Sequence, residues 1–172
     1  DIVTDSTASS QQQKLKGNYF DNYVSLSLDY DKRNQKFQTS QGFRNYFSTD
    51  LPIVSETNTL ANTFITTNYY EYLNKYILKS SFYFKNTNSI TGENVKLSER
   101  LSLPSNRLRG FERGKIGPKD GNDFIGGNYV ASLNFSSDVP KLLENSQTTD
   151  LIIFLDIANV WGVDYDSSLE KS

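Results

Sequence analysis

The chain has 172 residues, with 18 basic and 20 acidic side chains and a net charge of −2, which gives no reason to expect a nucleic-acid partner. It contains no Cys, His or Met. Disulfide frameworks and thiolate metal sites are therefore excluded, the commonest general base is missing, and the 172 residues read as a processed or excised piece of a longer chain.

Residues 1–18 are rich in Ser, Thr and Gln and read as a polar end. A first strand is expected over about 20–31, where Val24, Leu26, Leu28 and Tyr30 share one face and Ser25, Ser27 and Asp29 the other. A polar turn with Lys32, Arg33 and Asn34 follows. The second strand, about 42–52, puts Phe43, Phe47 and Leu51 opposite Arg44, Tyr46 and Asp50. The third, about 59–72, is Thr-rich and aromatic with weaker alternation. The fourth, about 75–85, sets Tyr76, Leu78, Phe82 and Phe84 against Lys75, Lys79, Ser81, Tyr83 and Lys85. Three lysines on the expected inner face imply a hydrated interior and not a dry core.

Residues 86–126 form a long loop with little periodicity; loops of this length are usually functional or disordered, and they are ordinary on one side of a barrel. The fifth strand, about 127–137, turns Tyr129, Ala131, Leu133 and Phe135 one way and Asn128, Ser132, Asn134 and Ser136 the other. A turn with Asp138 and Pro140 leads to the sixth, about 149–161. There Leu151, Ile153, Leu155 and Ile157 make an apolar stripe opposite Phe154, Asp156 and Ala158. Residues 164–172 read as a polar tail.

These are about six strands without helical periodicity. Strands near ten residues suit a tilted membrane crossing, whereas soluble strands usually run about five or six. Aromatic residues reach 13% while mean hydropathy is −0.57. A transmembrane barrel combines the two because only alternate residues face lipid. A soluble secreted β-sandwich used for binding fits the composition nearly as well.

No carboxylate pair, Gly-x-Ser-x-Gly elbow or phosphate loop occurs; Gly114-Lys115-Ile116-Gly117 lacks the following Ser or Thr. No enzyme activity, cofactor or metal is expected. The informative stretch is Leu108-Arg109-Gly110-Phe111, followed by Ile116-Gly117-Pro118 and Gly126-Gly127-Asn128. Taken alone, Arg109 is a solvated arginine beside a turn made by Gly110. A guanidinium with five donors can also pin a loop to acceptors on a wall, with Gly110 bending the chain and Phe111 packing beside it. Alternation places Asn134 and Asp156 on the polar faces of the next two strands, where such a pin needs them. Trp161, at a strand end, reads either as an interfacial belt residue or as core. Tyr69, Tyr70, Tyr72 and Tyr76 carry the same two readings.

In their order, these motifs resemble the surface-antigen barrel of the outer-membrane protein assembly factor family, the BamA-type insertases and their relatives in translocation and two-partner secretion. The resemblance spans residues 24–165 and is densest over 103–161. It implies that Arg109, Gly110 and Phe111 form the tip of a loop tucked inside the barrel. Asp156, in Phe-x-Asp-x-x-Asn-x-Trp, is then its inner-wall partner. This chain departs from the family at three positions: Asn134 stands where Glu is frequent, Ala158 where Gly is common, and Thr39 where a turn Pro is usual.

The expected fold is therefore all-β, an antiparallel meander across 1–172 that is part of a transmembrane outer-membrane β-barrel. It should be an incomplete, open curved sheet with a long inward-folded loop. The resemblance implies a bacterial outer-membrane location, with the lipid bilayer, client outer-membrane proteins and assembly lipoproteins as partners. The implied function is insertion and folding of those clients, because Ile116-Gly117-Pro118 and residues 156–161 look closest to that branch. The alternative within the family is a related translocation or two-partner secretion transporter.

Overall fold

The computed structural model describes residues 13, 17–73, 76–139 and 151–171. The expectations for most of the polar end, for Lys75, and for the turn at 140–148 with the strand start at 149–150 lie outside the described residues. Six long strands form one antiparallel sheet: β1 (Asp21–Asp31), β2 (Gly42–Ser55), β3 (Thr59–Tyr72), β4 (Tyr76–Ser89), β7 (Tyr129–Val139) and β8 (Leu151–Trp161). Each pairs with its predecessor, so the sheet is a meander, and it is open because β1 and β8 are its edges. The loop between β4 and β7 carries a separate two-stranded ribbon of β5 (Lys119–Asp120) and β6 (Asp123–Phe124). Among the described residues the other regular elements are three short 3-10 turns.

Alternation sets the two faces. On the outer face Leu28 is 73% exposed, Ile153 63% and Leu155 57%, so an apolar surface spans the sheet with none of the described residues covering it. On the inner face the long loop lies against β4, β7 and β8. There Tyr83, Leu103, Val130 and Val160 are buried, with Leu101, Leu108 and Ile116 packed beside them. The hydrated interior expected from the lysines is therefore replaced, at the loop-bearing end, by a small dry core. The apolar residues that build it come from the aperiodic loop, which alternation along strands does not reveal.

β2 and β4 run past the ends at 52 and 85 expected from sequence, to Ser55 and Ser89. Pro52 sits at the register shift between Asn22 and Tyr23, a bulge, and at such a site a proline does not end a strand. Beyond Lys85 the β4 residues are polar on both faces, yet they stay paired with β3 up to Thr59↔Ser89. The loop accordingly begins after Ser89 and not at 86. β7 starts at Tyr129, and Gly127 makes only an isolated bridge to Leu101.

The turn between β1 and β2 is held by its own polar groups. Asn34 Oδ1 accepts the backbone N–H of Gln35, Ser40 and Gln41. Thr39 is buried and donates its hydroxyl to Gln35 O at 2.7 Å. A side-chain hydrogen bond thus closes the turn there.

Gly127 crosses β8 so closely that a Cβ would stand 2.3 Å from Trp161 O. Backbone cannot yield as a side-chain tip can. Gly127→Ala is expected to destabilise the protein by about 1–3 kcal/mol, the usual scale of overpacking, read as a lower thermal unfolding midpoint; an unchanged midpoint would refute the close approach.

Candidate functional site

The site is built on one cross-strand row. Register places Thr67 opposite Ser81, Ser81 opposite Asn134, and Asn134 opposite Asp156. All four point to the inner face, and the tip of the long loop lies along them. Arg109 donates to Asp156 through Nε at 2.8 Å and Nη2 at 2.7 Å, and its backbone N–H adds a third bond at 3.0 Å. This is the two-pronged geometry that suits a guanidinium to a carboxylate. The Asp156 side chain is 3% exposed and that of Arg109 36%. The carboxylate is the desolvated partner, and the loop reaches in to neutralise it.

Asn134 works differently from the sequence expectation that its amide would accept from the loop arginine. It donates to Asp156 Oδ1 at 2.8 Å and to the backbone carbonyl of Arg107 at 2.7 Å, while its own oxygen accepts from the Ser132 hydroxyl. A carboxylate at 134 could do neither of the donations and would stand beside Asp156 as a like charge. The amide therefore joins wall, carboxylate and loop backbone in one network.

The neighbouring motif residues take distinct places. Leu108 packs against the inner core. Gly110 has φ +87, a region that other residues avoid, and it turns the chain back after Arg109. Phe111 is 60% exposed and does not pack as the expected companion. The aromatic partner is Phe154, whose ring centroid lies 3.7 Å from the Arg109 guanidinium carbon. Phe154 shares the inner face with Asp156, two residues away, so this signal was present in the alternation. Gly117 lies against Val160, where a Cβ would stand 2.7 Å from Val160 Cβ. Pro118 accepts the Ile125 N–H at 3.1 Å, which closes the β5–β6 ribbon. Gly126 passes 2.6 Å, measured from an added Cβ, from the Leu101 carbonyl oxygen. Trp161 stacks on Tyr129 at 5.7 Å on the outer face at the loop-bearing end, the position of the belt reading.

A second fixation was not visible in the sequence. At the root of the loop the side chain of Arg100 is 1% exposed and pairs with Asp164. Arg100 also donates to the carbonyls of Val95 and Gly162, and its guanidinium lies 4.9 Å from the centre of the Tyr165 ring. Asp164 further accepts from Val95 N–H at 2.6 Å and from the Asn128 amide at 3.1 Å. Asp164 belongs to the segment read as a polar tail, and no spacing rule links it to a residue 64 positions earlier. Burial would raise the carboxyl pKa of Asp164. The Val95 N–H, the Asn128 amide and Arg100 outweigh it and hold that pKa below its ordinary value.

Among the described residues no cluster of acidic side chains could hold a metal ion, and no helix is long and apolar enough to cross a membrane. An antiparallel sheet with a bare apolar outer face, and a loop fixed by ion pairs to its inner face, defines the wall of an outer-membrane-type β-barrel. The Omp85 superfamily domain matches residues 2–172, and the chain belongs to that superfamily. Among solved structures it is similar to BamA from Haemophilus ducreyi lacking POTRA domains 1-3. The TM-score is 0.72 at 22% identity, over 84% of this chain and 30% of that one. The chain thus spans less than a third of the length of that protein. Comparison with curated protein sequences gave no significant match.

Arg100 is the buried member of this pair, and a buried charge left without its partner destabilises the fold, so Asp164→Asn should lower the unfolding midpoint more than Arg100→Met with Asp164→Leu together. The pKa of Asp164 is depressed in the folded protein. Its stabilisation is therefore present above the ordinary carboxylate pKa of about 4 and lost as pH falls through the folded value. A pH series of midpoints should show an acid-side decline that is shallower in Asp164→Asn; superimposable declines would contradict the pairing.

Proposed function

We propose that this chain is the part of an outer-membrane β-barrel assembly factor that holds the lumenal loop, and that the complete protein inserts and folds client outer-membrane proteins. The observation that carries the reading is the Arg109–Asp156 pair, with its three bonds from one loop residue to one wall carboxylate. The chemistry is not covalent. A barrel that inserts others must open toward the bilayer while keeping its own fold, and a loop clamped to the wall next to the lumen stiffens that part of the barrel. The outer face supports a bilayer partner, because Leu26, Phe64, Phe82 and Ile157 present apolar side chains where water would otherwise meet them. Assembly lipoproteins are the expected accessory partners, and the bacterial outer membrane the expected location.

The test is made in the complete protein. Arg109→Ala leaves the Asp156 carboxylate desolvated without its cation, a loss of about 2 kcal/mol on the scale of a hydrogen bond to a charged group. Expected are a lower temperature of heat-modifiability on gels and reduced insertion of a client barrel into liposomes. Arg109→Lys, with a point charge in place of a planar fork, should fall between the two. Wild-type insertion and wild-type heat-modifiability in Arg109→Ala would sink the proposal. Intact insertion with impaired export of a secreted partner would transfer the chain to the exporter branch.

A further inference from the structure

Beside the Arg109–Asp156 pair lies a cavity of about 290 Å³ on the inner face, between the loop tip and strands β3, β4 and β7. Three cations line it, Lys79, Arg107 and Arg109, together with the neutral polar groups of Thr67, Ser81 and Asn134, and no carboxylate is among the described lining residues. Asp156 balances Arg109. Among the described residues the other two cations face the cavity without an anion.

Arg107 is the informative one. It is half-buried, and its side-chain contacts are the Ser81 hydroxyl at 2.9 Å and the Tyr83 ring at 4.8 Å. Burial pushes its pKa down, and Tyr83 acts in the opposite direction without reversing it. A partly desolvated guanidinium held by a hydroxyl and a ring still has donors to satisfy. Lys79 is exposed, lines the same cavity from β4, and lies 5.6 Å from the centre of the Tyr69 ring. Position 134 adds no anion to the lining: it is an amide, engaged by Ser132, Asp156 and the Arg107 carbonyl.

We propose that this cavity is an oxyanion-binding site, taking one carboxylate or phosphate-sized group between Arg107 and Lys79, with one hydroxyl of the mutually bonded Ser81–Thr67 pair as a further donor. A planar guanidinium and an ammonium lining one cavity from two elements are a donor set such a group selects, and the volume admits a small tetrahedral or planar anion. The inference rests on the seat of the loop on the wall and not on client insertion, so either can fail without the other.

The experiment uses the complete protein in detergent. Its unfolding midpoint is followed while sodium sulfate is titrated against sodium chloride at matched ionic strength. A ligand bound only by the folded state raises the midpoint saturably. The expected result is a sulfate-specific, saturable rise in the wild type that is lost in Lys79→Gln and Arg107→Gln and kept in part by Arg107→Lys. The general stabilisation that sulfate gives by exclusion from protein surfaces persists in all variants and is subtracted.

Absence of a specific, saturable rise in the wild type overturns the proposal. A sulfate response equal in wild type and both glutamine variants overturns it as well.

Discussion

A carboxylate on the inner wall, 3% exposed, is the constraint from which the rest of the site follows. A charge taken out of water must be paired and hydrogen-bonded, or the fold bears several kcal/mol against it. Asp156 is held in its cross-strand row by register, with Asn134 opposite and Ser81 beyond. Its partner can arrive only from above the sheet. The loop therefore descends to one height, and with the tip set there Leu101, Leu103, Leu108 and Ile116 are brought against Tyr83, Val130 and Val160. The dry core and the ion pair are two consequences of one placement.

The two faces of the sheet solve opposite problems. Outside, apolar side chains are exposed in a stripe over strands from β1 to β8, an arrangement that costs free energy in water and none in lipid. Inside, polar rows alternate with the loop-covered core. Among the described residues the edges β1 and β8 each present one unpaired side, which hydrocarbon does not tolerate without partners. Six strands thus describe a wall and not a closed barrel, in keeping with the 30% of the solved BamA chain that this one covers.

The strands were legible because every second residue along them faces a uniform medium. Val24 to Tyr30 and Leu151 to Ile157 announce themselves by that rule, and the same alternation put Asp156, Phe154 and Asn134 on one face. It failed where the medium is not uniform. Thr87 and Ser89 continue β4 with polar residues on both sides, so the strand looked finished at 85. The loop was legible only through its glycines and Arg109, since its apolar contacts follow no period. Arg100 and Asp164 were invisible for another reason: the pair joins points 64 residues apart in segments that each look solvated, and only the folded chain reveals that they meet.

The two ion pairs that fix the loop are not equivalent, and their environments say why. At the root the guanidinium of Arg100 is 1% exposed, enclosed by backbone carbonyls and the Tyr165 ring. At the tip Arg109 is 36% exposed and rests on Phe154 in contact with the cavity. Water and salt screen the second attraction more than the first. Separating the root leaves the enclosed Arg100 guanidinium without its anion, whereas separating the tip exposes a guanidinium already partly in water and leaves Asp156 with the Asn134 amide still bonded to it. The amide at 134 thus lowers the penalty of a vacant tip as well as joining it when occupied. A carboxylate at that position would do the reverse, adding a like charge to the wall each time Arg109 withdrew.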